Sequence, residues 1–238
     1  MTTLKSVCTS DVALSSAPPL RHGDRLTRAE FHRRYEAMPH VKKAELIEGV
    51  VYMPAAVRVD HGKPHAAIMT WLGGYWAATF GVELHDNVSV RLDEYNEVQP
   101  DALLRLDPAL GGRSRVTPDQ YLAGAVELIV EVSGSSAPRD LGQKLDVYRR
   151  SGVQEYIVWH RHRRWEIYEN QLTWFELHES QYVPLKPDED GIVHSHVFPG
   201  LCLDVQAMLE GDLRQVMAGL QHGLASPEHA AFVERLSE

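Results

Sequence analysis

Two acidic residues of the chain have the surroundings expected of a site for a divalent cation. In "EVQPDALLRL", Asp101 follows Pro100. Proline cannot donate to a strand ladder, so it belongs at an edge or a bulge, where neighbouring side chains are redirected. In "VELIVEVS", Glu131 lies within a run apolar enough for a central strand. A carboxylate there is costly unless it is paired, hydrogen-bonded or bound to a metal.

A lysine on the following helix completes the set. The segment "PRDLGQKLDVYRRSG" places Leu141, Leu145 and Tyr148 on one apolar arc. Lys144 falls inside this arc, because residues three and four positions apart are neighbours on a helix surface. Its ammonium is therefore expected to face the sheet, where it meets Asp101 and Glu131 at one end.

The chemistry that these residue types support is metal-assisted hydrolysis of a phosphodiester. Asp101 and Glu131 can hold Mg²⁺ or Mn²⁺ through oxygen atoms and leave positions open for water and phosphate. Lys144 can orient the attacking water or neutralise the developing oxyanion. Each residue also has an ordinary alternative: Asp101 as a solvated acid, Glu131 in a structural salt bridge, and Lys144 in a helical pair with Asp140.

The elements expected to position these residues alternate between helices and strands. Thr27 and Glu30 form a capping box for a first helix, and the Glu48-Gly49 turn joins a hairpin within residues 44–53. Further helices are predicted over residues 65–80 and 138–151, with short helices after Pro199. Further strands are predicted over residues 82–92, 98–106, 126–133, 155–159, 165–168 and 172–177. This order predicts a mixed α/β or α+β fold with helices packed on a twisted sheet.

The composition limits the classes of protein to which the chain can belong. The 238 residues suit a flexible lead-in over residues 1–25, one domain over residues 26–198 and a helical extension over residues 199–238. No segment has the run of about 18 apolar residues that a membrane helix needs, and no secretory signal is evident. Two cysteines cannot form a disulfide framework, which favours a reducing cytoplasm. The net charge of −9 means that any contact with DNA must use a local basic patch.

The segments "AELIEGVVY", "QPDALL" and "ELIVEVSGSSAPRDLGQKLDVYRRSGVQEYIVW" resemble the Uma-type family of bacterial endonucleases, catalogued as a domain of unknown function. That family belongs to the PD-(D/E)XK superfamily, whose restriction-endonuclease-like core is a mixed sheet flanked by helices. The resemblance implies that Pro100-Asp101 supplies the "PD" and Glu131 the acid of "(D/E)XK". Ser133 stands where the superfamily has lysine, and Lys144 resembles its migrated replacement.

The same resemblance implies a supporting group of residues and a partner. Glu45 matches a recurrent acid that can bind a second metal or position a ligand, and His65 matches a histidine at the start of a helix that can touch phosphate; Glu45 can instead be structural, and His65 can instead cap the helix. Glu127 begins the predicted strand and is therefore expected at the surface. DNA is the implied partner, through a basic patch formed by residues 161–164 and 149–150, and a homodimer is an open alternative. Two rival functions remain: a catalytically inactive nuclease fold that binds nucleic acid or protein, and a hydrolase of small phosphoesters.

Overall fold

The computed structural model describes residues 17–53, 59–133, 137–164 and 167–238. The helices are α1 (Arg28–Glu36), α2 (Val59–Ala78), α3 (Ala137–Arg139), α4 (Leu145–Ser151), α5 (Val205–Glu210), α6 (Leu213–Leu224) and α7 (Pro227–Leu236). The strands are β1 (Glu45–Ile47), β2 (Val50–Tyr52), β3 (Val82–Asp86), β4 (Val90–Arg91), β5 (Glu97–Val98), β6 (Ala102–Leu106), β7 (Arg115–Val116), β8 (Leu122–Ala123), β9 (Leu128–Ser133), β10 (Glu155–Arg164), β11 (Ile167–His178), β12 (Gln181–Pro184), β13 (Ile192–His194) and β14 (Cys202–Asp204).

The main sheet has the strand order β12-β11-β10-β9-β6-β3 within the described residues. Strands β9 and β10 run parallel, and the other neighbours in this sheet are antiparallel. One face of the sheet packs against α2 and the C-terminal helices, and the other packs against α4. The predicted mixed α/β class, with flanking helices and a helical C-terminal segment, is therefore confirmed.

A second sheet has the order β2-β1-β5-β4-β8-β7 among the described strands. The β1–β2 hairpin turns at Glu48 and Gly49, whose φ angles of 50° and 75° match the predicted two-residue turn. Thr27 caps α1 as predicted, since its hydroxyl accepts a hydrogen bond from the amide of Glu30. The hairpin places β1 beside β5, and this contact later brings Glu45 into the site.

Two predicted strands are each divided between the two sheets. The segment 82–92 breaks at Asn87, whose φ of 51° ends β3 before β4 begins in the second sheet. The segment 98–106 breaks between β5 and β6, where Pro100 cannot donate to a ladder. The segment between the predicted strands 98–106 and 126–133 is partly regular, because it contains a 3₁₀ turn (Pro108–Leu110) and the short strands β7 and β8.

Two further predictions differ from the structure. Helix α2 begins at Val59 rather than at residue 65 and contains Pro64, so it carries His61 as well as His65. The expectation that Glu127 lies at the surface is wrong, because only 1% of it is exposed. Its carboxylate accepts hydrogen bonds from the amides of Leu106 and Arg113, and thus ties the loop after β6 across the start of β9.

The C-terminal helices belong to the same core as α2. Leu220 and Phe232 are buried in the cluster that contains Trp71 and Val130. Near the other end of the described chain, Leu20 is buried beside Phe31 of α1. The domain boundaries given above stay a prediction. Among the described residues, no helix combines the length and the apolar character that crossing a membrane requires.

Candidate functional site

Asp101 and Glu131 are close because Asp101 directly precedes β6, which is the neighbour of β9 in the main sheet. Strand β6 pairs antiparallel with β9, with Ala102 opposite Val130. The carboxyl groups of the residues next to this pair interact, since the charge of Asp101 contributes to the raised pKa of Glu131. The amide of Val132 also donates to Oδ2 of Asp101 at 2.9 Å. The structure therefore brings together the two acids that the sequence singled out.

Glu131 lies in the layer between the main sheet and α4. Its Oε1 accepts hydrogen bonds from Nζ of Lys144 at 2.7 Å and from the hydroxyl of Tyr148 at 2.8 Å. Only 3% of the residue is exposed. Burial raises the pKa of Glu131 above its ordinary value, although the charge of Lys144 opposes that shift. The charge of Lys144 favours the ionised form of Glu131, whereas burial favours the protonated form.

Lys144 is the cation shared by the acids of this layer. Its Nζ lies 2.7 Å from Glu131, 2.8 Å from Glu45 and 3.9 Å from Asp140. Burial alone would lower the pKa of Lys144, but the carboxylates of Glu131 and Glu45 outweigh it and raise that pKa. The side chain is therefore a charged ammonium directed towards the sheet, as its place on the helix predicted.

The helix that carries Lys144 is wound more loosely than expected. Between α3 and α4, the turn Asp140–Lys144 is π-helical, and it buries the side chains at both of its ends. Single π-helical turns are rare and often occur at functional sites. Here the wider π-helical turn places the carboxylate of Asp140 and the ammonium of Lys144 in the same buried layer.

Glu45 extends the site from the second sheet. It lies at the start of β1, and its Oε1 accepts a hydrogen bond from the amide of Gln99 at 2.9 Å besides contacting Lys144. Burial opposes ionisation of this carboxyl, but Lys144 and Lys43 outweigh it and hold the pKa of Glu45 below its ordinary value. Glu45 therefore shares Lys144 with Glu131, and its role stays a prediction.

Two residues around Asp101 were not identified from the sequence. Nζ of Lys43 lies 2.9 Å from Oδ1 of Asp101, and Nε2 of His61 lies 3.2 Å from Oδ2. Burial opposes ionisation of Asp101, but these two partners hold its pKa well below the ordinary range. A signal for Lys43 was present, because residues 43 and 45 of an extended run share a face.

His65 and Ser133 have different surroundings. Nε2 of His65 lies 3.0 Å from the backbone carbonyl of Asp101 and 3.1 Å from the carboxylate of Asp86, so it holds the backbone beside the acid rather than capping the helix. Ser133 is 2% exposed, and among the described residues its hydroxyl has no hydrogen-bond partner. The catalytic roles of all these residues stay predictions.

The donor atoms around Asp101 and Glu131 suit Mg²⁺ or Mn²⁺. Both prefer oxygen ligands, and Mg²⁺ is usually held by one or two carboxylates together with water and substrate phosphate. Within the described segments, no three His, Cys, Asp or Glu side chains are grouped so as to enclose a metal ion by themselves. An ion held by Asp101 and Glu131 would take its other ligands from water and phosphate.

Two of the arginines predicted to form a basic patch make hydrogen bonds or ion pairs with other residues of the chain. Arg149 donates to the carbonyl of Ser180 at 2.9 Å, and Arg150 pairs with Glu48 at 2.7 Å. About half of the Arg150 side chain is exposed, so its charge remains accessible to a polyanion. The part of the patch at residues 162–164 lies outside the side chains that the structure describes. Contact with DNA stays a prediction.

Comparison with known proteins gives one family and one structural neighbour to report. The crystal structure of a putative nuclease belonging to DUF820 from Anabaena variabilis matches with 8% identity and a TM-score of 0.49. The match covers 75% of this chain and 92% of that chain. A similarity of this size supports no statement about function. No curated protein matches the chain.

The family comparison is more extensive. The model of the Uma2 family, described as "Putative restriction endonuclease", matches residues 28–206, which is well over half of the chain. The match includes both acids, Lys144 and the mixed sheet with helices on its two faces. This agrees with the restriction-endonuclease-like core that the sequence resemblance implied. The chain therefore belongs to the Uma2 family of putative restriction endonucleases.

Proposed function

We propose that this protein is an endonuclease that hydrolyses DNA phosphodiester bonds with the help of Mg²⁺ or Mn²⁺. The observation that carries the proposal is that Asp101, which precedes β6 and accepts from the amide of Val132, lies beside Glu131 in β9, with the ammonium of Lys144 2.7 Å from Glu131. Two acids and a lysine at one end of a sheet are the groups that metal-assisted attack on phosphorus requires. The nuclease family to which the chain belongs supports the same chemistry.

Each residue has a distinct task in this proposal. Asp101 and Glu131 would hold the ion, which when bound supplies Lewis-acid stabilisation and an activated water. Lys144 favours the ionised form of Glu131 and would add positive charge close to where negative charge develops on phosphorus. The backbone amide of Val132 fixes Oδ2 of Asp101, and Tyr148 fixes Oε1 of Glu131. These hydrogen bonds orient the carboxylates before substrate arrives, which lowers the cost of reaching the reactive geometry.

The experiment that tests this function is cleavage of supercoiled plasmid and of single-stranded DNA by the purified protein. We expect cleavage with Mg²⁺ or Mn²⁺ and none with excess chelator. Asp101→Asn should retain about 1% of the activity or less, because loss of an ion ligand removes several kcal/mol of transition-state stabilisation. The matched control is Asp146→Asn, which changes an exposed acid on α4 and should cut at the rate of the wild type.

Equal cleavage by Asp101→Asn and the wild type would show that the activity belongs to another site or to a contaminant. The second candidate function, an inactive nuclease fold that binds nucleic acid or protein, is favoured by one observation. Lys43 and Lys144 already neutralise the acids that would hold a cation. Calorimetry with Mn²⁺ separates the two candidates, since an inactive fold of this kind would bind no Mn²⁺ at millimolar concentrations.

A further inference from the structure

The two lysines of the candidate site differ in how firmly they are held. Lys144 is buried, with 3% of its side chain exposed, and its ammonium faces three carboxylates. Lys43 has 25% of its side chain exposed. Besides Asp101, its ammonium contacts the amide oxygen of Asn87 at 3.1 Å, on the outer side of the site. Lys43 is therefore the lysine with a route from the acids to solvent.

The two oxygens of Asp101 also differ. Oδ2 accepts from the backbone amide of Val132 and lies beside His61, and a backbone donor in a strand cannot move away. Oδ1 contacts Lys43, a partner on a stem with four rotatable bonds. A divalent ion that binds Oδ1 of Asp101 therefore competes with the ammonium of Lys43. Both are cations, so they cannot contact the same oxygen without strong repulsion.

We propose that Lys43 occupies Oδ1 of Asp101 in the absence of metal and contacts a phosphate of the bound nucleic acid strand once a divalent ion takes that oxygen. This inference rests on the proposed function and names a further substrate-contacting residue for it. The displaced ammonium keeps its charge and lies at the exposed margin of the site. A phosphate oxygen is the acceptor that a nucleic acid substrate brings there, and lysine binds phosphate as a compact point charge.

The test measures two properties of Lys43 variants separately, the binding of Mn²⁺ and the binding of DNA, under conditions that limit cleavage of the DNA. Lys43→Met removes the charge and keeps most of the side-chain volume. In a calorimetric titration without DNA, Lys43→Met should bind Mn²⁺ about fivefold more tightly than the wild type does, because a screened positive charge near the ion is removed. Affinity for a fluorescein-labelled duplex in Ca²⁺, which replaces Mg²⁺ to limit cleavage, should fall about eightfold at 0.1 M salt.

The salt dependence provides a third readout. Loss of one phosphate contact should reduce the slope of log Kd against log salt concentration by about one. Lys42→Met is the matched control, because Lys42 is an exposed neighbour whose ammonium faces the carbonyl of Pro39. It should leave all three values unchanged. Lys43→Gln, which can still donate to Asp101 but carries no charge, should behave as Lys43→Met does.

The opposite directions of the two effects distinguish this proposal from a structural role for Lys43. A residue that only supports the fold would weaken Mn²⁺ binding and DNA binding together. Unchanged or weaker Mn²⁺ binding in both Lys43 variants, or an unchanged salt slope, would overturn the proposal while leaving the nuclease function intact. Failure of the wild type itself to bind Mn²⁺ would instead remove the proposed function, and this inference with it.

Discussion

Replacing Lys144 with methionine is expected to destabilise the protein by about 3–5 kcal/mol, the usual cost of removing one partner from a buried ion pair. Methionine fills nearly the same volume, so the loss is electrostatic rather than a cavity. The ammonium lies within hydrogen-bonding distance of Glu45 and Glu131 and 3.9 Å from Asp140. Without it, these buried carboxylates have lost their common cation. Urea unfolding followed by circular dichroism measures the difference.

The destabilisation should also depend on pH in a defined direction. Removing the cation raises the pKa of Glu131, which burial already holds above that of the unfolded chain, still further, and it also raises the pKa of Glu45. A carboxyl whose folded pKa is raised binds more protons when folded, so stability is lost as the pH rises. We therefore expect a smaller deficit at pH 5 than at pH 8. Lys42→Met serves as the control, and a Lys144→Met protein as stable as this control would contradict the buried network described here.

Replacing Glu131 with glutamine is expected to abolish cleavage with little effect on the fold. Glutamine has the same shape, and its carbonyl oxygen can still accept from Tyr148 and Lys144, while Glu45 remains as the counter-ion of that lysine. In the proposed mechanism, the lost charge would remove an ion ligand beside the reacting phosphorus. A loss of about 4 kcal/mol of transition-state stabilisation corresponds to about a thousandfold lower rate. Single-turnover cleavage of a labelled oligonucleotide measures it.

Two comparisons make this result specific. Glu36→Gln changes an acid on α1 that is 57% exposed, and its cleavage rate should equal that of the wild type. Binding of the same oligonucleotide in chelator should be retained or slightly tighter in Glu131→Gln, because one negative charge is removed. A Glu131→Gln protein that folds and cuts at an undiminished rate would show that this carboxylate is structural.

Much of the site could be located from the sequence because its determinants are local. The apolar run around Glu131 indicated a buried strand, and the helical arc around Lys144 indicated the side that faces the sheet. Pro100 marked the break between β5 and β6 at which Asp101 lies. These patterns could be recognised in the sequence because hydrophobic periodicity and the position of a proline depend only on neighbouring residues.

The remaining features depend on contacts between distant segments. Lys43 contacts Asp101 although the two residues are 58 positions apart in the sequence. His61 contacts the same acid from α2, which begins at Val59 and not at the predicted residue 65. The place of Glu127 at the start of its strand predicts a surface position, but the last residue of β6 and Arg113 in the following loop each donate a backbone amide to its carboxylate. The π-helical winding before Lys144 likewise has no local signal, because the same residues are compatible with an α-helix.

The central claim is that Asp101 and Glu131 hold one divalent ion between them, and a crystal soaked in Mn²⁺ tests it most directly. The account predicts an anomalous scattering peak about 2.1 Å from a carboxylate oxygen of each residue, the usual length of a bond from a small divalent cation to oxygen. Lys43 should have moved away from Asp101 in the same crystal. A peak bound only by other residues, or no peak at a millimolar soak, would contradict the account.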